Sequence, residues 1–218
     1  MVRPRMTVPT LRYIHDPLCG WCYAVTPMAE VVANAGVPIV LHGGGLWEAA
    51  TGLAPDKRFY IGQSDARIAE LTGMRFGAAY LDGLLIHAKT MFWSRPTIAA
   101  VLAAGAIEQG AELRMMHAVQ RAHCVEGRRV VEPSVLADVA ASICLGADRF
   151  VEAFETVPVD DHITATRHWM QQTGLRGFPS FLLERGDDLV RIDHEPFYHR
   201  PDAFLQAVKG LAATSPAT

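Results

Sequence analysis

Tyr13-Ile14-His15-Asp16-Pro17-Leu18-Cys19-Gly20-Trp21-Cys22-Tyr23 is the stretch that decides the fold, because it joins a strand to a helix through two cysteines. Leu11 to His15 alternates and is rich in β-formers, so it reads as a strand. Asp16-Pro17 halts the ladder, since Pro17 has no N–H to give it. From Cys22 onward Val25, Met28, Ala29 and Val32 recur at helical spacing, and Gly36 closes that helix. Val37 to His42 reads as a second strand with the continuous apolar character of a buried parallel one. Gly43-Gly44-Gly45 lacks the strand–GxGxxG–helix setting of a dinucleotide loop and reads as a flexible turn. Strand, helix and strand make a βαβ unit, which crosses over right-handed.

Cys19-Gly20-Trp21-Cys22 is the one constellation that demands a chemical reading. The first cysteine falls at a helix N-terminus, where unpaired N–H groups and the positive end of the dipole stabilise a thiolate. The second falls about one turn in, within reach of the first, so it can resolve a mixed disulfide. Trp21 between them is bulky and sets access. A structural zinc half-site is the competing reading, but zinc normally takes four ligands. There is no second CxxC or HxxxH, and the nine histidines make no ligand spacing, so neither a metal nor a bound cofactor is expected. Cys144 follows Ile143 on a helical face and reads as a buried small hydrophobe. Cys124, at a helix end, is either a third thiol near the pair or a structural residue, the second being favoured. His15 and His42 could approach the site but read as satisfied buried imidazoles or surface groups.

The middle of the chain changes character. From Gln63 to His123 there is little β-branched alternation and much Ala, Leu, Met and Gly. Ile98, Val101 and Leu102 mark one helical face, and Val135, Leu136, Val139 and Ile143 mark another. These faces read as core. Beyond 159 the pattern reverts to a helix ending at Gly174, then strands over Ser180–Glu184 and Leu189–Ile192 around a hairpin turn, and a terminal helix from Pro201. The tail from Ala212 reads as frayed. The expected architecture is α/β, with residues 1–62 and 159–218 forming one fold around an all-α insert over 63–158.

Composition narrows the function classes. Half of the 218 residues are hydrophobic, enough for a real core, and the net charge of -3 lacks the basic footprint of a nucleic-acid binder. The apolar stretch from Ile98 to Ile107 is too short to cross a bilayer. Four cysteines are too few for a disulfide-stapled fold of this length. Arg3 and Arg5 have no apolar run behind them, as a secretory signal would require, so a cytoplasmic location is expected.

With these residues in view, the sequence resembles the DsbA-like thiol–disulfide oxidoreductases, most of all their cytoplasmic branch of predicted protein-disulfide isomerases, or FrnE-like proteins. The resemblance covers nearly the whole chain, through Gly177-Phe178-Pro179-Ser180. It implies a thioredoxin-like fold and a cis proline at Pro179 facing the cysteines. It also implies catalysis by Cys19 and Cys22, with Trp21, Phe178 and Pro179 contacting substrate. A proline that opens a strand needs no ladder donor, so the position tolerates it. Phe178 departs from the smaller or β-branched residue of relatives. Trp21 replaces the histidine of the periplasmic enzymes, so a less oxidising poise is expected, suited to reduction or isomerisation. The expected partners are protein or small-thiol substrates held as mixed disulfides, with no nucleic acid and no membrane, and a homodimer through the insert. Two alternatives stand beside this reading. One is a glutathione-dependent enzyme of the kappa transferase or hydroxychromene-carboxylate isomerase type. The other is a non-catalytic redox-sensing module.

Overall fold

The computed structural model describes residues 8–213. The N-terminal arginines and the last five residues of the expected frayed tail lie outside the described residues, while Ala212 and Ala213 belong to the final helix. β1 (Thr10–His15) runs parallel to β2 (Ile39–Gly43) on one side and antiparallel to β5 (Ser180–Arg185) on the other. β6 (Asp188–Ile192) pairs with β5 through a hairpin at Gly186-Asp187, giving the order β2-β1-β5-β6. The left-handed φ of 59° at Gly186 suits glycine in a two-residue turn. β1 and β5 are central, and Tyr13 stacks on Phe181 across them at 4.5 Å.

α2 (Thr26–Asn34) and α9 (Pro201–Ala213) cover one face. There Leu11, Tyr13, Val25, Met28, Val32, Phe181, Phe204 and Val208 form the sheet's main core. α8 (Val159–Gln172) covers the other face, where Trp169, Met170 and Phe178 pack on Ile14, Leu175 and Leu182. Between β2 and α8 the chain builds the insert. It comprises α3 (Pro55–Thr72), a π-helical turn (Ala79–Leu84), α4 (Ser94–Ile107), α5 (Ala111–Cys124), α6 (Pro133–Ser142) and α7 (Ala147–Thr156). Its core gathers Tyr80, Phe92, Met115, Leu136 and Phe150. Val101 and Met116 turn instead into the sheet's core, which locks insert to sheet. The α/β thioredoxin-like fold with an inserted helical domain is therefore the observed one.

Several local expectations are corrected. The helix after the cysteines is two, α1 (Gly20–Ala24) and α2, broken at Val25. Pro27 removes the N–H that a continuous helix would give to the Tyr23 carbonyl, and Val25 N–H bonds that carbonyl instead. β2 is an edge strand with Val40 37% exposed, so its apolar run did not mean burial on both faces. The helical insert contains one short ladder, β3 (Thr51–Gly52) with β4 (Met91–Phe92), and its first helix opens at Pro55, ahead of residue 63. Cys144 is exposed, with a φ of 66°, because the chain turns out of α6 there rather than continuing the buried face. Gly43-Gly44-Gly45 is pinned rather than flexible. Gly44 N–H bonds the His15 carbonyl at 3.0 Å, and Arg167 donates to the Gly44 and Gly45 carbonyls.

Two buried imidazoles make the fold sensitive to acid. Burial, reinforced by His162, His42 and His117, pushes His15 down to about 3. Burial alone pushes His123 down to about 4. Both bind a proton more readily unfolded, near 6.5, so their contribution to stability is present above that value and lost as pH falls through 6.5 towards 4. At pH 5 each costs about 2 kcal/mol. Asp65, pushed up to about 6 by burial, acts in the opposite sense and offsets part of one of them. The melting temperature is expected to fall between pH 7 and pH 5 by about 5 °C or more. A value that holds or rises in a calorimetric scan would show that these imidazoles take up protons inside the fold.

Candidate active site

The C-terminal end of β1 and the N-terminal end of β5 are antiparallel neighbours, with Ile14 opposite Ser180. Chain leaving β1 and chain entering β5 therefore meet at the same edge of the sheet. The first carries the cysteines, and the second carries the cis Phe178–Pro179 peptide. Cys19 is the N-cap of α1, and its carbonyl accepts the Tyr23 N–H at 3.0 Å. Its Sγ lies 3.8 Å from the Phe178 carbonyl oxygen, within reach of a thiol donor. Cys22 is fully buried in the first turn. Its Sγ accepts the Asp16 N–H at 3.4 Å, and its carbonyl accepts the Tyr13 hydroxyl at 3.1 Å. Burial first, and then the neighbouring Cys19, push the Cys22 thiol well above its ordinary range. Both sulfurs are free thiols.

Asp16 holds this arrangement together. Its side chain is fully buried and accepts the Leu18 N–H at 2.9 Å and the Leu46 N–H at 2.7 Å. One carboxylate thus fixes the turn into the cysteines and the loop after β2. Burial raises its titration, while the hydrogen bonds from Ser94, Leu46 and Leu18, and the charge of Arg167, work against that rise.

A cavity of about 320 Å³ opens beside Cys19 towards the insert, walled by Trp21, Trp47, Tyr60, Asp65, Tyr80 and Cys124 among others. Trp21 is half-buried and stacks on Tyr198 at 6.1 Å. Cys124 is buried on this wall, where burial, then Asp65, then Cys19 push its thiol up. The fold thus brings Cys19, Cys22, the Phe178 carbonyl and Pro179 together, with Trp21 at the rim. The Phe178 ring points elsewhere, packing against Gly44, where an added Cβ would meet it at 2.3 Å. His15 is buried at the end of β1 with no partner for Nδ1 among the described residues, and His42 packs on Trp169 at 4.7 Å. Among the described residues no group of three or more His, Cys, Asp or Glu side chains is placed to hold a metal.

Sequence reasoning read Asp16 as a turn signal and did not single out Tyr198, Asp65 or Tyr80. The Asp-Pro pair ahead of the cysteines was a usable signal for the first. The others come from distant segments and carry no local signature.

Comparison with known proteins follows the same lines. The model of the DSBA-like thioredoxin domain matches residues 10–205. The cytosolic disulfide reductase DsbM from Pseudomonas aeruginosa is 40% identical, with a TM-score of 0.86 over 93% of this chain and 98% of that one. A structure of the same reductase with GSH shares 36% identity at a TM-score of 0.85, covering 94% of this chain and 100% of that one. A putative protein disulfide isomerase from Nitrosomonas europaea, 24% identical, superposes with a TM-score of 0.80 over 94% and 97% of the two chains. No curated protein matches.

Replacing Asp16 by Ala leaves two buried N–H groups without their acceptor, at a cost of about 2–5 kcal/mol. Asp16→Asn keeps one acceptor oxygen and is expected to lose less. Urea unfolding checks the order. Equal midpoints for the wild type and Asp16→Ala would show that the carboxylate does not tie the two loops.

Proposed function

We propose, for a chain that belongs to the DSBA-like thioredoxin domain family, that it is a cytosolic disulfide reductase working through Cys19 and Cys22 and recharged by a small thiol of the glutathione class. General thiol–disulfide oxidoreductase chemistry follows from the family. The direction of exchange, the donor and the location are the proposal. The observation that carries it is the placing of Cys19 between a backbone carbonyl at 3.8 Å and an open cavity, with Cys22 buried one turn behind.

In the forward direction Cys19 Sγ attacks one sulfur of the substrate disulfide, and the other sulfur leaves as a thiol. Cys22 then attacks Cys19 Sγ and releases the second substrate thiol. The substrate gains two electrons, and the Cys19–Cys22 pair becomes the disulfide. Two molecules of a small thiol return it to the dithiol and leave as their own disulfide. Trp21, the backbone of Phe178 and Pro179 are proposed to contact the substrate around the mixed disulfide.

One feature supports reduction over oxidation. A strong oxidant stabilises its reduced form, as an anion of the attacking sulfur. The dipeptide between the cysteines offers Gly20 and Trp21 and no cation to do so. A small thiol as donor is supported by the 36% identical reductase solved with GSH and by a cavity of about 320 Å³ at Cys19. A cytosolic location is supported by the description of that reductase. Among the described residues no helix is long and apolar enough to cross a membrane.

Titration against glutathione, followed by Trp21 fluorescence, is expected to give a reversible two-electron midpoint between about −150 and −280 mV. A midpoint near about −120 mV would make the protein an oxidant instead. Absence of a Cys19–Cys22 disulfide at every potential would remove the mechanism altogether. Cys22→Ser is expected to accumulate the mixed disulfide on Cys19, detectable as added mass.

A further inference from the structure

The wall of the cavity opposite the cysteines is built by the insert, and it carries one carboxylate. Asp65, from the middle of α3, is 3% exposed. Its Oδ2 accepts the Tyr80 hydroxyl at 2.9 Å. Its Oδ1 lies against Gly20, between the two cysteines. A Cβ added at Gly20 would stand 2.6 Å from that oxygen, and no side chain fits there without moving it. Glycine at position 20 is thus what lets an acid from the insert reach the backbone of the dithiol turn. Asp65, Tyr80, Cys19 and Cys124 all line the same cavity.

Several groups face this carboxyl. Gly20 approaches from α1, the Tyr80 hydroxyl from the π-helical turn and Cys124 from α5, while Cys19, the cap of α1, lines the same cavity. The His123 ring lies behind Tyr80 at 5.1 Å. From its own helix, Lys57 and Ser64 reach the same cavity. A buried carboxyl fixed by a single hydroxyl, with its other oxygen turned to the cysteine turn, needs a reason, because burial of an acid is costly.

We propose that Asp65, oriented by Tyr80, is the group that exchanges protons with the reacting sulfurs in this cavity. This rests on the dithiol reading above. In the first step the Cys19 proton passes to the Asp65 carboxylate. Cys19 Sγ then bonds the near substrate sulfur, and the S–S bond breaks. The far sulfur leaves with the electron pair and takes the proton back from Asp65. In the second step the Cys22 thiol supplies its own proton to the departing sulfur as the internal disulfide forms. Protons and electrons balance without any further reactant, and Asp65 ends each cycle as it began. Burial, partly offset by the Tyr80 hydrogen bond, pushes Asp65 up to about 6, where it can both accept and return a proton near neutral pH.

The test is the pH dependence, between pH 5 and 8, of the second-order rate at which pre-reduced protein reduces an excess of glutathione disulfide in a single turnover, measured on purified wild-type, Asp65→Asn and Tyr80→Phe proteins. The wild type is expected to lose rate below a midpoint near pH 6. Asp65→Asn is expected to lose that acid limb and about 100-fold in rate at pH 7.5. Tyr80→Phe removes the hydrogen bond that favours the carboxylate, so its limb is expected at higher pH. Should Asp65→Asn fail to fold, the direction of the Tyr80→Phe shift decides alone. An Asp65→Asn protein with the wild-type limb and a rate within about twofold, or a Tyr80→Phe limb that stays in place, overturns the inference. A wild type that forms no Cys19–Cys22 disulfide defeats the dithiol reading first, which is a separate and recognisable failure.

Discussion

The buried carboxylate of Asp16 is the constraint on which the rest of the site depends. It sits where the central strand ends, and two oxygens there accept backbone N–H groups from two different loops. Its own N–H is turned to the Cys22 sulfur. A single residue therefore sets the turn into α1, the position of Cys22 and the closure of the loop after β2. The desolvation of the carboxylate is offset in part by the hydrogen bonds to both oxygens and by the charge of Arg167, though burial still raises its titration. Any apolar residue in its place would leave those N–H groups buried and unpaired.

The second organising feature is the meeting of two strand ends. Because β1 and β5 are antiparallel neighbours, the loop leaving one must pass the loop entering the other. This is why residues far apart in the chain, Cys19 and Phe178, come within 3.8 Å. The insert completes the enclosure from the third side. α3, the π-helical turn and α5 contribute Asp65, Tyr80 and Cys124, so the helical domain is part of the site and not an appendage beside it.

Glycine shapes this centre by what it leaves out. Gly44 gives its space to the Phe178 ring, which seats the loop carrying Pro179 against the loop after β2. Gly20 gives its space to the Asp65 carboxylate. The first contact joins two loops at the end of the sheet, and the second joins the cysteine turn to the insert. The run of three glycines, read from sequence as a flexible turn, is also held by hydrogen bonds from Arg167 and to His15.

By itself the sequence determined the strand–turn–helix carrying Cys19 and Cys22, the βαβ start, the helical middle, the closing hairpin and the proline that enters β5. Each is written in local periodicity or turn chemistry, which depends on residues within a few positions of one another. Local pattern failed where a tertiary neighbour decided the outcome. Val37 to His42 looked buried because apolar residues run through it, yet its place at the sheet's edge exposes Val40. Cys144 looked buried on a helical face, yet α6 ends before it. Only the tertiary structure decided that Asp65 and Tyr80 stand beside the cysteines, and that Cys124 shares their cavity. Such contacts are made by side chains whose proximity comes from the docking of whole elements, and no spacing along the chain encodes it.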